Sequence, residues 1–321
     1  MNWEHSTSNP FLEFQSESES SPPPEKSPVL LQAILLGVTF FTTLIAGFWF
    51  HIGFTSSTPD QAIVQLTRVL TNPLELLHGL PFSLTILLIL LAHEMGHYLT
   101  CRHYNIKASL PYVIPAPFMF GTFGAIIKIK STFDNPRQLF DVGIAGPLAG
   151  FSLILPALII GLQKSKVFIF NPSVEETLEF GEPLLFHLAT LLFFPGNPEA
   201  SINLHPIGWA AWFGMLATSI NLLPIGQLDG GHIVYAILGS KGHRIVSQST
   251  FFILVAISLY SWPPAYLLFS IILLFLGFRH PPTRNNSPSL DKNRLLIALG
   301  GLLLLILTFI VVPIRVISHA N

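Results

Sequence analysis

Apolar residues run in long unbroken stretches along this chain, and polar residues collect in the gaps. A helix needs about 20 apolar residues to cross the hydrocarbon core of a bilayer. Val29 to Phe50, Leu77 to Thr100, Leu139 to Leu162 and Leu295 to Val312 each meet that length. Pro206 to Leu238 contains another span, interrupted by Asn221, Pro224, Gly226 and Asp229. Phe251 to Phe278 is broken at Trp262-Pro263-Pro264 and reads as one kinked span or two short ones. Leu184 to Phe194 is apolar but too short to cross, which suits an interfacial or re-entrant helix. The pattern predicts an all-α membrane protein: a multi-pass helical bundle of about six to eight spans.

Composition agrees. Of 321 residues, 50% are hydrophobic and 10% charged, against about 25% charged in a soluble domain. The net charge of −1 gives no argument for a nucleic-acid partner. One cysteine, Cys101, excludes an internal disulfide and a Cys-rich metal site. Residues 1–28 are rich in Ser, Glu and Pro and are expected to be a disordered tail. That stretch lacks the pattern of a secretory signal, so the first apolar run is expected to be retained. The division that follows is tail 1–28, first span and external loop 29–76, a core 77–239, and C-terminal helices 240–321. Gln163 to His205 is shorter than the ~50-residue floor for a domain, so no inserted soluble domain is expected. Lys and Arg cluster at Arg102 to Arg137, at Lys241 and Arg244, and at Arg279 to Arg294. These loops share the cytoplasmic side if Phe251 to Phe278 crosses twice. The N-terminus is then cytoplasmic too, although Lys164, Lys166 and Arg315 depart from the rule.

Candidate chemistry sits inside the second apolar run, at His93-Glu94-Met95-Gly96-His97. Histidines four apart share a helix face and reach one ion, and the intervening Glu94 can move a proton at that ion. Ionisable groups in a bilayer are expensive, which makes such a cluster a functional hypothesis by default. A catalytic zinc takes three protein ligands. The third is expected from an interrupted, membrane-embedded segment, and Asn221-Leu-Leu-Pro224-Ile-Gly226-Gln-Leu228-Asp229-Gly230-Gly231-His232 is the candidate. Asp229 is its sole carboxylate, and His232 is the rival ligand. In the orientation above, the ion would lie within the membrane near the cytoplasmic face, since Glu94 precedes Thr100 by roughly 9 Å of helix.

His93-Glu94-x-x-His97, Asn221-x-x-Pro224-x-x-x-Leu228-Asp229-Gly230-Gly231 and Gly143-x-Ala145-Gly146-Pro147-x-Ala149-Gly150 together resemble the site-2 protease family of intramembrane zinc metalloproteases. The resemblance is nearest to the branch without a PDZ domain, similar to the plant chloroplast ethylene-dependent gravitropism-deficient type, and covers about Leu77 to Gly239. It implies one Zn2+ per chain held by His93, His97 and Asp229, Glu94 as catalytic base, and Asn221 facing the substrate. The implied partner is a membrane protein with a transmembrane helix, cleaved after local unwinding.

Phe118 to Lys130 is a candidate re-entrant β-like loop, with Gly121 and Gly124 permitting a turn. Its Ala125 to Lys130 reads as a strand whose edge pairs with extended substrate; an interfacial loop is the competing reading. Competing functions are a metal transporter and an inactive, chaperone-like relative. Oligomeric state is open, and a bacterial cell membrane is the expected host. His103, His187, His205 and His243 are expected at interfaces, Asp141 as a partner of Arg137, Cys101 as inert, and the small residues of the third span in close helix packing.

Overall fold

The computed structural model describes residues 29–117, 119–168, 176–195, 201–260, 266–285, 287 and 289–318; the expected N-terminal tail lies outside them. In chain order the helices are α1 (Val29–Thr55), α2 (Pro59–Thr71), α3 (Leu80–His103), α4 (Pro136–Lys164), α5 (Leu184–Phe193), α6 (Pro206–Leu222), α7 (Asp229–Tyr260), α8 (Leu267–Leu276) and α9 (Lys292–Thr308). A 3-10 turn, Pro73–Gly79, leads into α3. The strands are β1 (Tyr112–Pro115), β2 (Thr122–Ile126), β3 (Lys166–Phe168), β4 (Glu176–Phe180), β5 (Ser201–Asn203) and β6 (Ile314–Ser318). The protein is a helical membrane protein. Among the described residues four helical stretches are long and apolar enough to cross: α1, Pro73–His103, α4 and α7. Helices α6 and α9, at 17 residues each, are shorter. The Trp262-Pro263-Pro264 turn lies outside the described residues.

α1 and α3 run antiparallel in close contact. Thr43 Oγ1 lies 2.7 Å from Ser83 Oγ, and Gly47 meets Gly79 so closely that a Cβ on either would strike the other's helix backbone. α3, α4 and α6 then bury one apolar core, in which Phe82 and Ile154 are fully enclosed beside Ile86, Leu158 and Met215. α4 starts where Asn135 caps it, its side chain accepting from Arg137 N and Gln138 N at 3.0 and 3.1 Å.

The span expected over Pro206 to Leu238 is two helices. α6 stops at Leu222, and α7 starts at Asp229. Pro224 has no N–H to continue the first helix, and Gly226 adopts φ +54°, a left-handed conformation glycine adopts without strain. α7 itself breaks at Gly239, φ +66°.

The β content is larger than the single re-entrant loop expected. β1 and β2 form that antiparallel hairpin, turning through Met119 and Gly121 at positive φ. Its second strand is Thr122–Ile126, overlapping the expected Ala125 to Lys130 at two positions; an isolated bridge at Ala108 and Ile129 prolongs the pairing. Two further pairs, β3 with β5 and β4 with β6, tie together segments read from the sequence as connections and chain end. Asp141 also corrects an expectation. It pairs with Arg294 at 2.5 Å rather than with Arg137, whose Nε donates to Ser289 O. The planar guanidinium of Arg294 reaches both carboxylate oxygens, a geometry that locks the starts of α4 and α9 together.

Candidate metal centre

His93, His97 and Asp229 come together as a potential metal-binding group, with side-chain donors converging from α3 and from the first residue of α7. His93 Nε2 and His97 Nε2 are 3.1 Å apart. Asp229 Oδ2 lies 3.1 Å from the first and 3.3 Å from the second. Donors of a tetrahedral ion with ~2.0–2.1 Å bonds sit about 3.3–3.4 Å apart, so the residues fit such an ion. The two histidines and Glu94 are each only 5–6% exposed. Two imidazole nitrogens and a carboxylate oxygen enclosed at that depth need a shared cation or proton to offset lost hydration. His97 Nδ1 donates to Val142 O at 2.7 Å, which leaves Nε2 with its lone pair turned to the cluster.

The small residues of α4 have a more specific role than helix packing. Gly146 lies against the His97 ring and Gly150 against His93, whose Cβ would be 3.2 Å from an added methyl. Gly96, between the two histidines, meets the Ala145 backbone. These contacts let α3 and α4 approach until the rings fit between them. Gly146→Ala should therefore lower metal content sharply, although alanine favours helices by about 1 kcal/mol over glycine. Gly37→Ala, on α1 where nothing lies within 4 Å, should leave metal content unchanged. Metal analysis of both purified proteins checks the pair.

Asp229 is placed by the loop before it. That loop folds back on the first turn of α7, where a Cβ at Gly230 would strike the Leu222 carbonyl and one at Gly231 the Gly226 carbonyl. Two residues given no such role from the sequence hold the loop. Ser247 Oγ donates to Pro224 O and accepts from Gly226 N, both at 3.1 Å. His243 Nε2 donates to Gly226 O at 2.9 Å. His243, expected at an interface, is instead 1% exposed. These side chains satisfy backbone groups that the break in the helix frees. They lie 17 and 21 residues from Gly226, and no local motif marks them.

His232, the rival ligand, points elsewhere. Its Nδ1 lies 2.6 Å from His280 Nε2. His280 Nδ1 donates to Pro281 O, so His232 must donate to His280. Burial, with His243 nearby, pushes His280 down to about 4, which keeps it the neutral acceptor. Cys101 is fully buried, as expected of an inert thiol.

Beside the cluster opens a cavity of about 350 Å³ lined by His93, Glu94, Asn221, Phe213 and β2. Asn221 Nδ2 lies 3.3 Å from His93 Nε2. The Ile127 backbone N–H lies near the Glu94 carboxylate. A larger cleft of about 820 Å³ near α5, α7 and α9 is mostly apolar and does not reach His93 or His97.

The model of the family described as Peptidase family M50 matches residues 81–262, more than half of the chain, and takes in both halves of this cluster. The chain belongs to peptidase family M50. This M50 chain is 34% identical over 242 residues to "Probable zinc metalloprotease EGY2, chloroplastic" of Arabidopsis thaliana, covering 75% of the chain and 43% of that protein. It is 35% identical over 169 residues to "Probable zinc metalloprotease EGY1, chloroplastic" of Oryza sativa subsp. japonica, covering 50% of the chain and 28% of that protein. The M50 chain thus spans less than half the length of these relatives, and they belong to the branch its motifs resemble.

Proposed function

We propose that the protein is a zinc endopeptidase that cleaves transmembrane segments of membrane proteins. Its zinc, one per chain, is held by His93, His97 and Asp229. The observation that carries this reading is the placement of those donors, enclosed within spanning helices yet open to a cavity walled by Glu94, Asn221 and a β-strand. Zn2+ bound there would acidify a water towards pKa ~7 and polarise a carbonyl. Glu94 takes the proton and delivers it to the leaving amine. The Glu94 carboxylate lines the cavity wall beside β2. The Asn221 amide, beside His93, donates to the scissile carbonyl.

A substrate helix must unwind before its carbonyls are accessible, and β2 offers it a partner. Lys128 turns its N–H and C=O to Ser109. Val113, opposite Ala125, turns its carbonyl to Thr39. Alternation along β2 then aims the Ala125 N–H at the cavity side. Ala125→Pro should sharply reduce cleavage of a transmembrane substrate, affect a short extended peptide less, and leave zinc content unchanged. Equal loss on both substrates would remove strand pairing from the reading. On the Lys and Arg distribution, the metal end of α3 faces the cytoplasmic side of the membrane.

The direct test uses purified protein in vesicles with single-span membrane proteins as substrates. Cleavage inside the span, lost with a chelator and restored by Zn2+, is expected. Zinc uptake into the vesicles without cleavage would favour the transporter.

A further inference from the structure

We propose that α2 is an amphipathic helix lying in the membrane–water interface, at the end of α3 remote from the metal centre, with its apolar stripe in lipid. The segment was expected to be only a loop. α2 divides around its axis into three stripes. One edge docks on the protein: Gln65 Nε2 bonds Thr55 Oγ1 at 3.2 Å, Gln61 Oε1 accepts from Ser57 N at 2.9 Å, and Ala62 and Val69 are half-buried. The second stripe carries Asp60, Thr67, Arg68 and Thr71, with the exposed Val64 among them. The third carries Ile63, Leu66 and Leu70, and Leu70 is 84% exposed. No residue of α2 is buried.

Geometry sets the helix flat. Gly47 and Gly79 mark a common level on α1 and on the turn before α3. From there α1 climbs eight residues to Thr55, roughly 12 Å. The 3-10 turn back to Pro73 covers roughly the same rise. Thr55 touches the middle of α2 at Gln65 and Pro73 follows its last turn, so its middle and its end share one level. α1, with 27 residues, and Pro73–His103, with 31, exceed the ~20 needed to cross. Their ends at α2 therefore reach the headgroup region.

The exposed apolar stripe continues into surface that must face lipid. Leu70 leads to Leu74 and Leu77 of the turn, and then to Leu84 and Leu88 on α3, all exposed. That continuity makes the occupant a bilayer. Asp60 and Arg68 cancel, so apolar burial rather than attraction to anionic lipid supplies the affinity.

The test places single nitroxide labels at Ile63, Leu66, Leu70, Thr67 and Thr71, each changed to Cys, in full-length protein in phosphatidylcholine vesicles. Cys101 is fully buried and stays; wild-type protein treated with the label is the blank. Collisions with oxygen should dominate at the first three positions, and collisions with a water-soluble nickel chelate at Thr67 and Thr71. Adding phosphatidylglycerol should not change the pattern. Nickel access at all five positions would overturn the proposal, as would shielding of positions 63, 66 and 70 from both reagents, which would put protein there. Oxygen contact found only in anionic vesicles would overturn the apolar mechanism.

Discussion

Glu94→Gln should keep zinc at the wild-type level and cut turnover by about 10²–10⁴-fold, the usual worth of a general acid–base group. The amide has nearly the same shape, so the helix and the adjacent His93 keep their places. It cannot take up the proton. Turnover on a verified single-span substrate, read beside metal content, checks this. A rate within a few-fold of wild type would remove Glu94 from the proton path.

His97→Ala and Asp229→Ala should each lose stoichiometric zinc and, with it, cleavage. Loss of a group that merely orients a ligand weakens metal binding by ~10–100-fold, so loss of a direct donor should exceed that. Asp229→Ala also leaves two buried imidazoles facing each other at 3.1 Å without their carboxylate. His232→Ala is the contrast. Its ring is committed to His280, so zinc should remain near one equivalent. Elemental analysis of the three proteins decides, and full zinc in Asp229→Ala would exclude that residue as a ligand.

Metal loss in His97→Ala and Asp229→Ala follows from donors that meet in space, whereas the Gly146→Ala and Ala125→Pro effects follow from backbone: the room glycine leaves for a ring, and the edge a strand leaves for substrate.

Features with a local cause were legible in the sequence. A four-residue spacing on a helix puts His93 and His97 on one face whatever surrounds them. Apolar length marks α1, α3 and α4 as spans, and Pro224 with Gly226 breaks a helix wherever it sits. The sequence also ranked Asp229 above His232, but only through the motif; three positions on a helix do not tell which side chain turns to α3. Tertiary structure decided that, because the choice depends on how a loop folds across the first turn of α7, 136 residues from His93. It also decided that Asp141 pairs with Arg294, 153 residues away, and not with its neighbour one turn along. His243 and Ser247 acquired their role the same way, since the carbonyls they satisfy exist only once the helix has broken. The strand pairs β3 with β5 and β4 with β6 lie in segments too short and irregular to announce themselves. Local periodicity reports which way a side chain faces on its own element; it carries no information about what the rest of the chain brings to meet it.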